Sequence, residues 1–147
     1  MNDKFKIILT HPGDISDFSS ISNVHDIFHF PTIKIKRNVI EISDIDSYDF
    51  LLFSSKYGAT IFTQLKAINF SNINALCVGY KAKDILMNNG VNISFCSNSY
   101  KENIIKDIKL LKLIRGKKIL YLTGNLSDSS IEESLQNTCE IKRLDIY

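Results

Sequence analysis

The chain has 147 residues, a length typical of one domain or of one domain with a small appendage. Its 44% hydrophobic content is enough to build a core, and a formal net charge of +2 provides no field that would recruit DNA or an anionic membrane. No apolar run is long enough to span a membrane, and the N-terminal apolar stretch is too short for a signal peptide.

The three cysteines, Cys77, Cys96 and Cys139, lie in or beside apolar segments, and their odd number disfavours a disulfide framework. Buried thiols in a reducing compartment are the simplest interpretation, with a disulfide, a metal site or a nucleophile as the alternatives. We therefore expect the protein to be cytoplasmic.

The first segment predicts a strand over residues 5–10, a turn at "HPGD" and a short helix capped by Asp14. The stretch "FHFPTIKIKRNVIEIS" then alternates apolar and polar residues, which predicts a half-exposed strand or an extended connector. Pro31 argues against a central strand there. Of the three histidines, only His11 is expected at the carboxyl end of a strand, and we expect His25 and His29 to have surface or packing roles.

From Tyr48 onwards, short apolar strands alternate with amphipathic helices. This alternation predicts an α/β fold in which a doubly wound parallel sheet of five strands is covered on both faces. The predicted strands are 50–53, 75–78, 91–95, 118–122 and 140–146, and the predicted helices are 56–67, 81–89, 100–114 and 128–137.

The helix predicted over residues 100–114 carries a basic stripe formed by Lys101, Lys106, Lys109 and Lys112. A solvated helix face explains these lysines. The alternative, a nucleic-acid surface, lacks interleaved aromatic residues and any accompanying nucleic-acid motif. We therefore expect no nucleic-acid partner.

In an open α/β sheet, ligands bind beyond the carboxyl ends of the strands, where helix N-termini offer unpaired N–H groups and a partial positive charge. None of the turns here matches a nucleotide-binding motif, so we predict sites for carboxylates, with plain turn chemistry as the alternative. The sequence also lacks the common catalytic motifs, so positioning and electrostatics would have to perform most of any catalysis. The predicted binding residues are Thr10, His11, Ser54, Ser55, Lys56, Gly79, Tyr80, Lys81, Gly124, Asn125 and Leu126.

Five short motifs follow one another along the chain: Thr10-His11-Pro12, "YDFLLFSSKYG", "VGYKAKDIL", "LTGNLSDSSIEESL" and the closing pair Ile146-Tyr147. In this order they resemble the uroporphyrinogen-III synthase family, which has Thr-Arg-Pro, a "DxxxFTS" strand, "VGxxTAxxL", a Gly-Asn turn before a helix, and a closing hydrophobic-Tyr pair. No single motif is specific, but their order and spacing together are, and they cover essentially the whole chain.

The resemblance implies two α/β domains joined by two extended segments, the first domain being discontinuous. Residues 1–33 would then begin domain one, 34–43 would be the outward connector, 44–143 a complete domain two, and 144–147 the start of the return connector. The chain would thus carry an incomplete first domain. We expect the open sheet faces of such a domain to promote self-association.

The resemblance also implies a lyase that cyclises the linear tetrapyrrole hydroxymethylbilane to uroporphyrinogen III, in heme biosynthesis. The turns would hold the eight carboxylates of this small-molecule substrate, and Tyr147 would assist departure of its terminal hydroxyl group. An anchoring aromatic residue is the alternative role for Tyr147. The resemblance implies neither a metal nor an organic cofactor.

Four positions depart from the family pattern. His11 stands in place of an arginine, Ala82 in place of a threonine, Tyr57 in place of a small polar residue, and Asp128 at a position that is often basic. The alternative hypothesis is therefore a non-catalytic remnant or binding domain of the same fold. A signalling-type α/β module is less compatible, because "ILTHPGD" lacks the clustered acidic residues that such modules carry after their first strand.

Overall fold

The computed structural model of the chain describes residues 4–38, 42, 44–66, 68–97 and 107–147. The chain divides into two compact units between Lys36 and Arg37. The predicted domain limits stay predictions. The structural elements are β1 (Lys6–Leu9), α1 (Ser19–Ser22), β2 (Asp26–His29), β3 (Phe50–Phe53), α2 (Lys56–Thr63), β4 (Asn74–Val78), α3 (Tyr80–Asn88), β5 (Asn92–Ser97), α4 (Ile108–Ile114), β6 (Lys118–Thr123), α5 (Ser130–Leu135) and β7 (Glu140–Asp145), with 3-10 turns at Ile15–Phe18, Ile45–Ser47 and Phe70–Asn72.

The larger unit is built on a five-stranded sheet in the order β5-β4-β3-β6-β7, and every neighbouring pair is parallel. The prediction of an α/β fold with a five-stranded parallel sheet is therefore confirmed. The chain builds β3, β4 and β5 towards one edge, then returns to the other side of β3 to add β6 and β7. The strand order thus reverses between β3 and β6, and such a switch point opens a crevice beyond the carboxyl ends of the two strands.

The core lies on both faces of this sheet, because successive side chains of a strand point to opposite faces. On one face, a cluster of buried residues joins the strands to α4 and α5 through Leu110, Ile114, Ile131 and Leu135. On the other face, the rings of Phe53 in β3 and Phe62 in α2 pack 5.2 Å apart. Nearly continuous apolar strands such as "FLLF" and "KILYLT" fit this burial on both sides.

The smaller unit has two parallel strands, β1 and β2, in which Ile8 pairs with Phe28. Both side chains are largely exposed, Ile8 at 66% and Phe28 at 44%, and so is Phe30 at 60%. No residue between 4 and 36 with a described side chain is buried. This unit therefore presents apolar surface instead of a core of its own, and the predicted self-association stays a prediction that sedimentation can test.

The strand β2 covers Asp26–His29 and overlaps only the start of the stretch from Phe28 for which the sequence indicates a half-exposed strand or an extended connector. His29 is the last residue of β2, so the prediction that only His11 lies at a strand's carboxyl end is wrong. Residues 32–36, in which apolar and polar side chains alternate, form neither a helix nor a strand. The interpretation of this stretch as a connector therefore remains. Of the helix predicted over 100–114, the structure describes Ile108–Ile114; Lys101 and Lys106 lie outside the described residues.

Within the described part of the chain, no helix combines the length and the apolar character that crossing a membrane requires.

Candidate functional site

Three of the predicted binding turns lie at one edge of the five-stranded sheet. Residues 54–56 follow β3, 79–81 follow β4 and 124–126 follow β6, and these three strands are mutually parallel. Their carboxyl ends therefore share an edge. The turns at 54–56 and 124–126 flank the switch point between β3 and β6, where ligands of open α/β sheets bind.

The turn after β3 holds two serine–tyrosine pairs. Ser54 Oγ lies 2.6 Å from Tyr121 Oη, and Tyr121 is completely buried in β6. Ser55 Oγ lies 2.7 Å from Tyr147 Oη. Lys56, the first residue of α2, places its Nζ 5.3 Å from the centroid of the Tyr57 ring.

The hydrogen bonds of Ser55 fix the direction of its bond to Tyr147. Ser55 is the N-cap of α2, and its Oγ accepts the N–H groups of Tyr57 at 3.1 Å and Gly58 at 3.2 Å. A serine hydroxyl has two acceptor lone pairs and one proton. With both lone pairs used, Ser55 donates its proton to Tyr147 Oη. The phenol hydrogen of Tyr147 is then directed away from Ser55.

Tyr147 is half-buried among aromatic and backbone groups. Its ring meets the Tyr57 ring edge-on, with centroids 6.4 Å apart. Burial raises the pKa of Tyr147, the neighbouring phenols Tyr121 and Tyr57 raise it further, and the hydrogen bond from Ser55 opposes them. The phenol is therefore protonated at neutral pH.

The turn after β6 supports the Tyr147 ring. A Cβ placed on Gly124 would lie 2.5 Å from the nearest ring atom, so only glycine allows this approach. The Asn125 N–H donates to the Tyr147 carbonyl oxygen at 2.9 Å and is thereby engaged. Leu126, 85% exposed, projects from the turn. Arg143 in β7 donates through Nη2 to the Gly124 carbonyl oxygen at 2.8 Å.

The turn after β4 is tied to the neighbouring strand β5. Gly79 has a φ of 87°, which favours glycine, and its N–H donates to the Ser97 carbonyl oxygen at 2.8 Å. It is the N-cap of α3 and, as a glycine, has no side chain with which to cap the first turn. The first amides of a helix lack intrahelical partners, so this turn can receive an anion. Tyr80 is 54% exposed at its start, and Lys81 follows on the surface.

Thr10 and His11 belong to the smaller unit. The Thr10 carbonyl oxygen accepts the Thr32 N–H at 3.1 Å. His11 Nδ1 accepts the Gly13 N–H at 2.9 Å, and the His11 ring stacks on His29 with centroids 5.0 Å apart. His29 Nε2 lies 3.0 Å from the His11 carbonyl oxygen. These contacts make His11 part of a local histidine pair.

Sequence reasoning missed Arg143 and Tyr121. In sequence, Tyr121 resembles one more apolar strand residue, and its hydroxyl partner Ser54 is 67 positions away. Arg143 resembles one more charge in the alternating strand "EIKRLD". Only strand register, which pairs Tyr121 with Arg143, brings them beside the turns.

Comparisons with known proteins point to one family. The family model described as "Uroporphyrinogen-III synthase HemD" matches residues 22–147. Among solved structures, uroporphyrinogen-III synthetase from Helicobacter pylori 26695 matches with a TM-score of 0.64 at 15% identity, over 98% of this chain and 61% of that one. A mutant uroporphyrinogen III synthase from the extremely thermophilic bacterium Thermus thermophilus matches with a TM-score of 0.65 at 10% identity, over 96% of this chain and 61% of that one.

The wild-type Thermus thermophilus enzyme has a TM-score of 0.60 at 13% identity, again over 61% of its length. At these identities the structural likeness establishes the fold, and the chain spans about three fifths of the length of these solved proteins. No curated protein matches the sequence. The family model alone covers most of the chain, and the chain belongs to the uroporphyrinogen-III synthase family.

Proposed function

We propose that the chain acts as a uroporphyrinogen-III synthase, a lyase of heme biosynthesis that cyclises hydroxymethylbilane to uroporphyrinogen III with inversion of ring D and loss of water. Family membership supports this reaction class. The observation that carries the proposal is the pair of Ser55 and Tyr147, joined at 2.7 Å beside the switch point of the sheet.

Tyr147 acts on the hydroxymethyl group of the substrate. Because Ser55 donates its proton to Tyr147 Oη, the phenol hydrogen remains available for the departing hydroxyl group. A raised pKa keeps that hydrogen in place at neutral pH. The hydroxyl group leaves as water, and a proton released by the closing pyrrole restores the phenol.

Departure of water leaves an azafulvene cation, which attacks the far ring at its substituted carbon. Rearrangement of the resulting spiro intermediate inverts ring D. Holding the two ends of the substrate together is therefore the main task of the protein. The N-terminus of α3, with Tyr80 and Lys81, is suited to a substrate carboxylate.

The remaining predicted binding residues keep their proposed roles. Lys56 offers a cation near the Tyr147 site, and Leu126 an apolar contact at the exposed tip of its turn. Thr10 and His11 stay predicted binding residues of the smaller unit, where His11 stands at the position of the family's arginine. The turn at Gly124 and Asn125 would serve chiefly through Tyr147, since the Asn125 amide is engaged.

We place the reaction in the cytoplasm. The three cysteines are free, as thiols in a reducing compartment are.

The test supplies enzymatically generated hydroxymethylbilane and identifies the uroporphyrinogen isomer formed. Tyr147→Phe should slow formation of the III isomer by about 100-fold or more, because it removes the donated proton. Tyr48→Phe is the matched control, since Tyr48 ends a 3-10 turn before β3, at the opposite edge of the sheet. Its rate should equal that of the unaltered chain.

Two outcomes would contradict the proposal. Formation of uroporphyrinogen I alone, the spontaneous product, by the unaltered chain would exclude catalysis and favour the binding-domain alternative. Equal rates for Tyr147→Phe and the unaltered chain would remove Tyr147 from the mechanism.

A further inference from the structure

The guanidinium of Arg143 contacts three parts of the larger unit at once. Its Nε donates to Asp145 Oδ1 at 2.7 Å, and its Nη1 to Glu132 Oε1 in α5 at 3.2 Å. Its Nη2 donates to the Gly124 carbonyl oxygen at 2.8 Å. The side chain is 24% exposed, so most of it is turned into the protein. Arg143 thereby joins β7, α5 and the turn after β6.

The part of this turn that Arg143 holds is the part on which Tyr147 rests. The Gly124 backbone forms the surface beneath the Tyr147 ring, close enough that a Cβ at this position would overlap the ring. The next residue, Asn125, donates its N–H to the Tyr147 carbonyl oxygen at 2.9 Å. Movement of the turn would therefore move the ring and the backbone of Tyr147 together.

We propose that Arg143 is a positioning residue, which clamps the turn at Gly124 and Asn125 and so keeps the Tyr147 phenol within hydrogen-bonding distance of Ser55. This inference rests on the proposed role of Tyr147 in the reaction. Arginine suits the task because its planar group presents five N–H donors in fixed directions. Lysine has one side-chain nitrogen, which could reach a carboxylate or the Gly124 carbonyl oxygen but not these together with the Asp128 carbonyl oxygen, which Nη1 of Arg143 also contacts at 3.4 Å.

A direct role in binding a substrate carboxylate is the competing interpretation. Arg143 is a cation beside a predicted binding turn, which makes that role attractive. However, Asp145 and Glu132 already supply two carboxylates to the guanidinium, and a third carboxylate would have to compete with them. The contacts favour holding the turn over binding the substrate.

The test uses Arg143→Lys in the full chain, with Arg115→Lys as the matched control. Arg115 is exposed in the turn after α4, so the same substitution there leaves the Gly124 turn intact. The first readout is hydrogen exchange at the Asn125 amide. We expect exchange at least about tenfold faster in Arg143→Lys, while the amides of β3 and β4 exchange as before.

The second readout is the titration of Tyr147, followed by NMR on chains with 13C at tyrosine Cζ. The Tyr147 signal is assigned as the one lost in Tyr147→Phe. In Arg143→Lys it should titrate nearer to the ordinary tyrosine range, because water reaches a loosened ring. A general loss of stability would accelerate exchange throughout β3 and β4 and would not single out Asn125 and Tyr147.

Glu132→Gln provides a second, milder variant in case Arg143→Lys does not fold. It weakens one anchor of the guanidinium and keeps Arg143 and Gly124 in the chain. Both readouts should shift in the same direction by a smaller amount. Unchanged exchange at Asn125 together with an unchanged Tyr147 titration in a folded variant would overturn the proposal.

Turnover separates this inference from the proposed function. For a positioning residue, Arg143→Lys should lower kcat about tenfold or more and leave KM within about twofold. A rise in KM alone would show substrate binding and overturn the inference. If the unaltered chain yields only uroporphyrinogen I while the two structural readouts shift as expected, the clamp stands and the proposed function fails.

Discussion

The turn after β4 and the turn after β6 lie at the same edge of the sheet, and each contains a glycine for a different reason. Gly79 has a φ of 87°, and among the described residues no atom lies within 4 Å of where its Cβ would be, so its constraint is conformational. Gly124 is covered by the Tyr147 ring, so its constraint is steric. The second turn thus supports a side chain of the protein, whereas the first is shaped by its own backbone.

Hydrogen bonding separates the two turns in the same way. The N–H of Gly79 ties its turn to Ser97 at the end of β5. The N–H of Asn125 is used by Tyr147 instead. Strand–turn–helix units that look equivalent in sequence therefore differ in what holds their turns, which is β5 in one case and Tyr147 in the other.

Alanine substitution at the two glycines gives the largest expected effect. Gly124→Ala and Gly79→Ala should each lower the free energy of unfolding by about 1–3 kcal/mol, the first through overlap and the second through backbone strain. Only Gly124→Ala should change the titration of Tyr147, because only its Cβ meets the ring. Urea unfolding and tyrosine NMR measure both effects. An unchanged Tyr147 signal in Gly124→Ala would contradict the supporting role of that turn.

The stability of the protein at alkaline pH tests the burial of Cys77 in β4, the strand that precedes the turn at Gly79. Burial raises the pKa of Cys77 in β4 from 9.0 to about 12. Above pH 9 the unfolded chain releases this proton first, so the free energy of unfolding should fall by up to about 1.4 kcal/mol per pH unit until pH passes about 12. Cys77→Ala should flatten this slope between pH 9 and pH 10.5.

Cys139→Ala is the comparison for that slope. Burial raises the pKa of Cys139 to about 11, so its substitution should reduce the slope as much as Cys77→Ala up to about pH 11 and less above it. Identical slopes in Cys77→Ala and the unaltered chain would show that Cys77 is not held neutral by burial.

Alanine substitutions of Ser54 and Ser55 compare the two serine–tyrosine pairs at the switch point. Ser55→Ala should cost about 1 kcal/mol of stability, because it removes the N-cap of α2, and it should free the Tyr147 hydroxyl. Ser54→Ala removes the partner of Tyr121 and should leave Tyr147 unaffected. Thermal unfolding and the isomer assay distinguish them: a loss of uroporphyrinogen III with Ser54→Ala but not with Ser55→Ala would reverse the assignment.

Tyr80→Ala should have the smallest effect on stability. Its side chain is more than half exposed in the turn after β4, so the free energy of unfolding should change by less than about 0.5 kcal/mol. Binding of a polycarboxylate substrate should weaken if the turn receives it. A stability loss above about 1 kcal/mol, measured in urea, would show that this turn also supports the fold.

Much of the larger unit follows from its sequence, because each strand and helix is indicated by a local pattern. "FLLF" is a strand at Phe50–Phe53 as expected, and Ser55 caps the helix that follows. The parallel arrangement follows from the alternation of strands with helices. Local sequence patterns were sufficient to predict these strands, because a strand that is buried on both faces of a sheet needs a nearly continuous apolar run.

The sequence prediction failed for a short strand and for contacts between distant segments. The strand β2 is four residues long and ends shortly before Pro31, so its pattern is too short to be separated from the connector. The engagement of the Asn125 amide depends on Tyr147, and the clamp by Arg143 depends on strand register. Neither contact leaves a signal in a local window of sequence.

The bond between Ser55 and Tyr147 joins residues that are 92 positions apart. We expect a contact of such separation to form late in folding, because closing the long loop between its two ends costs entropy. A partly folded molecule can therefore contain every strand and still lack an oriented phenol. Under the proposed function, a mutation that only delays the docking of β7 would lower the turnover of newly synthesised molecules. The turnover of fully folded molecules would stay the same.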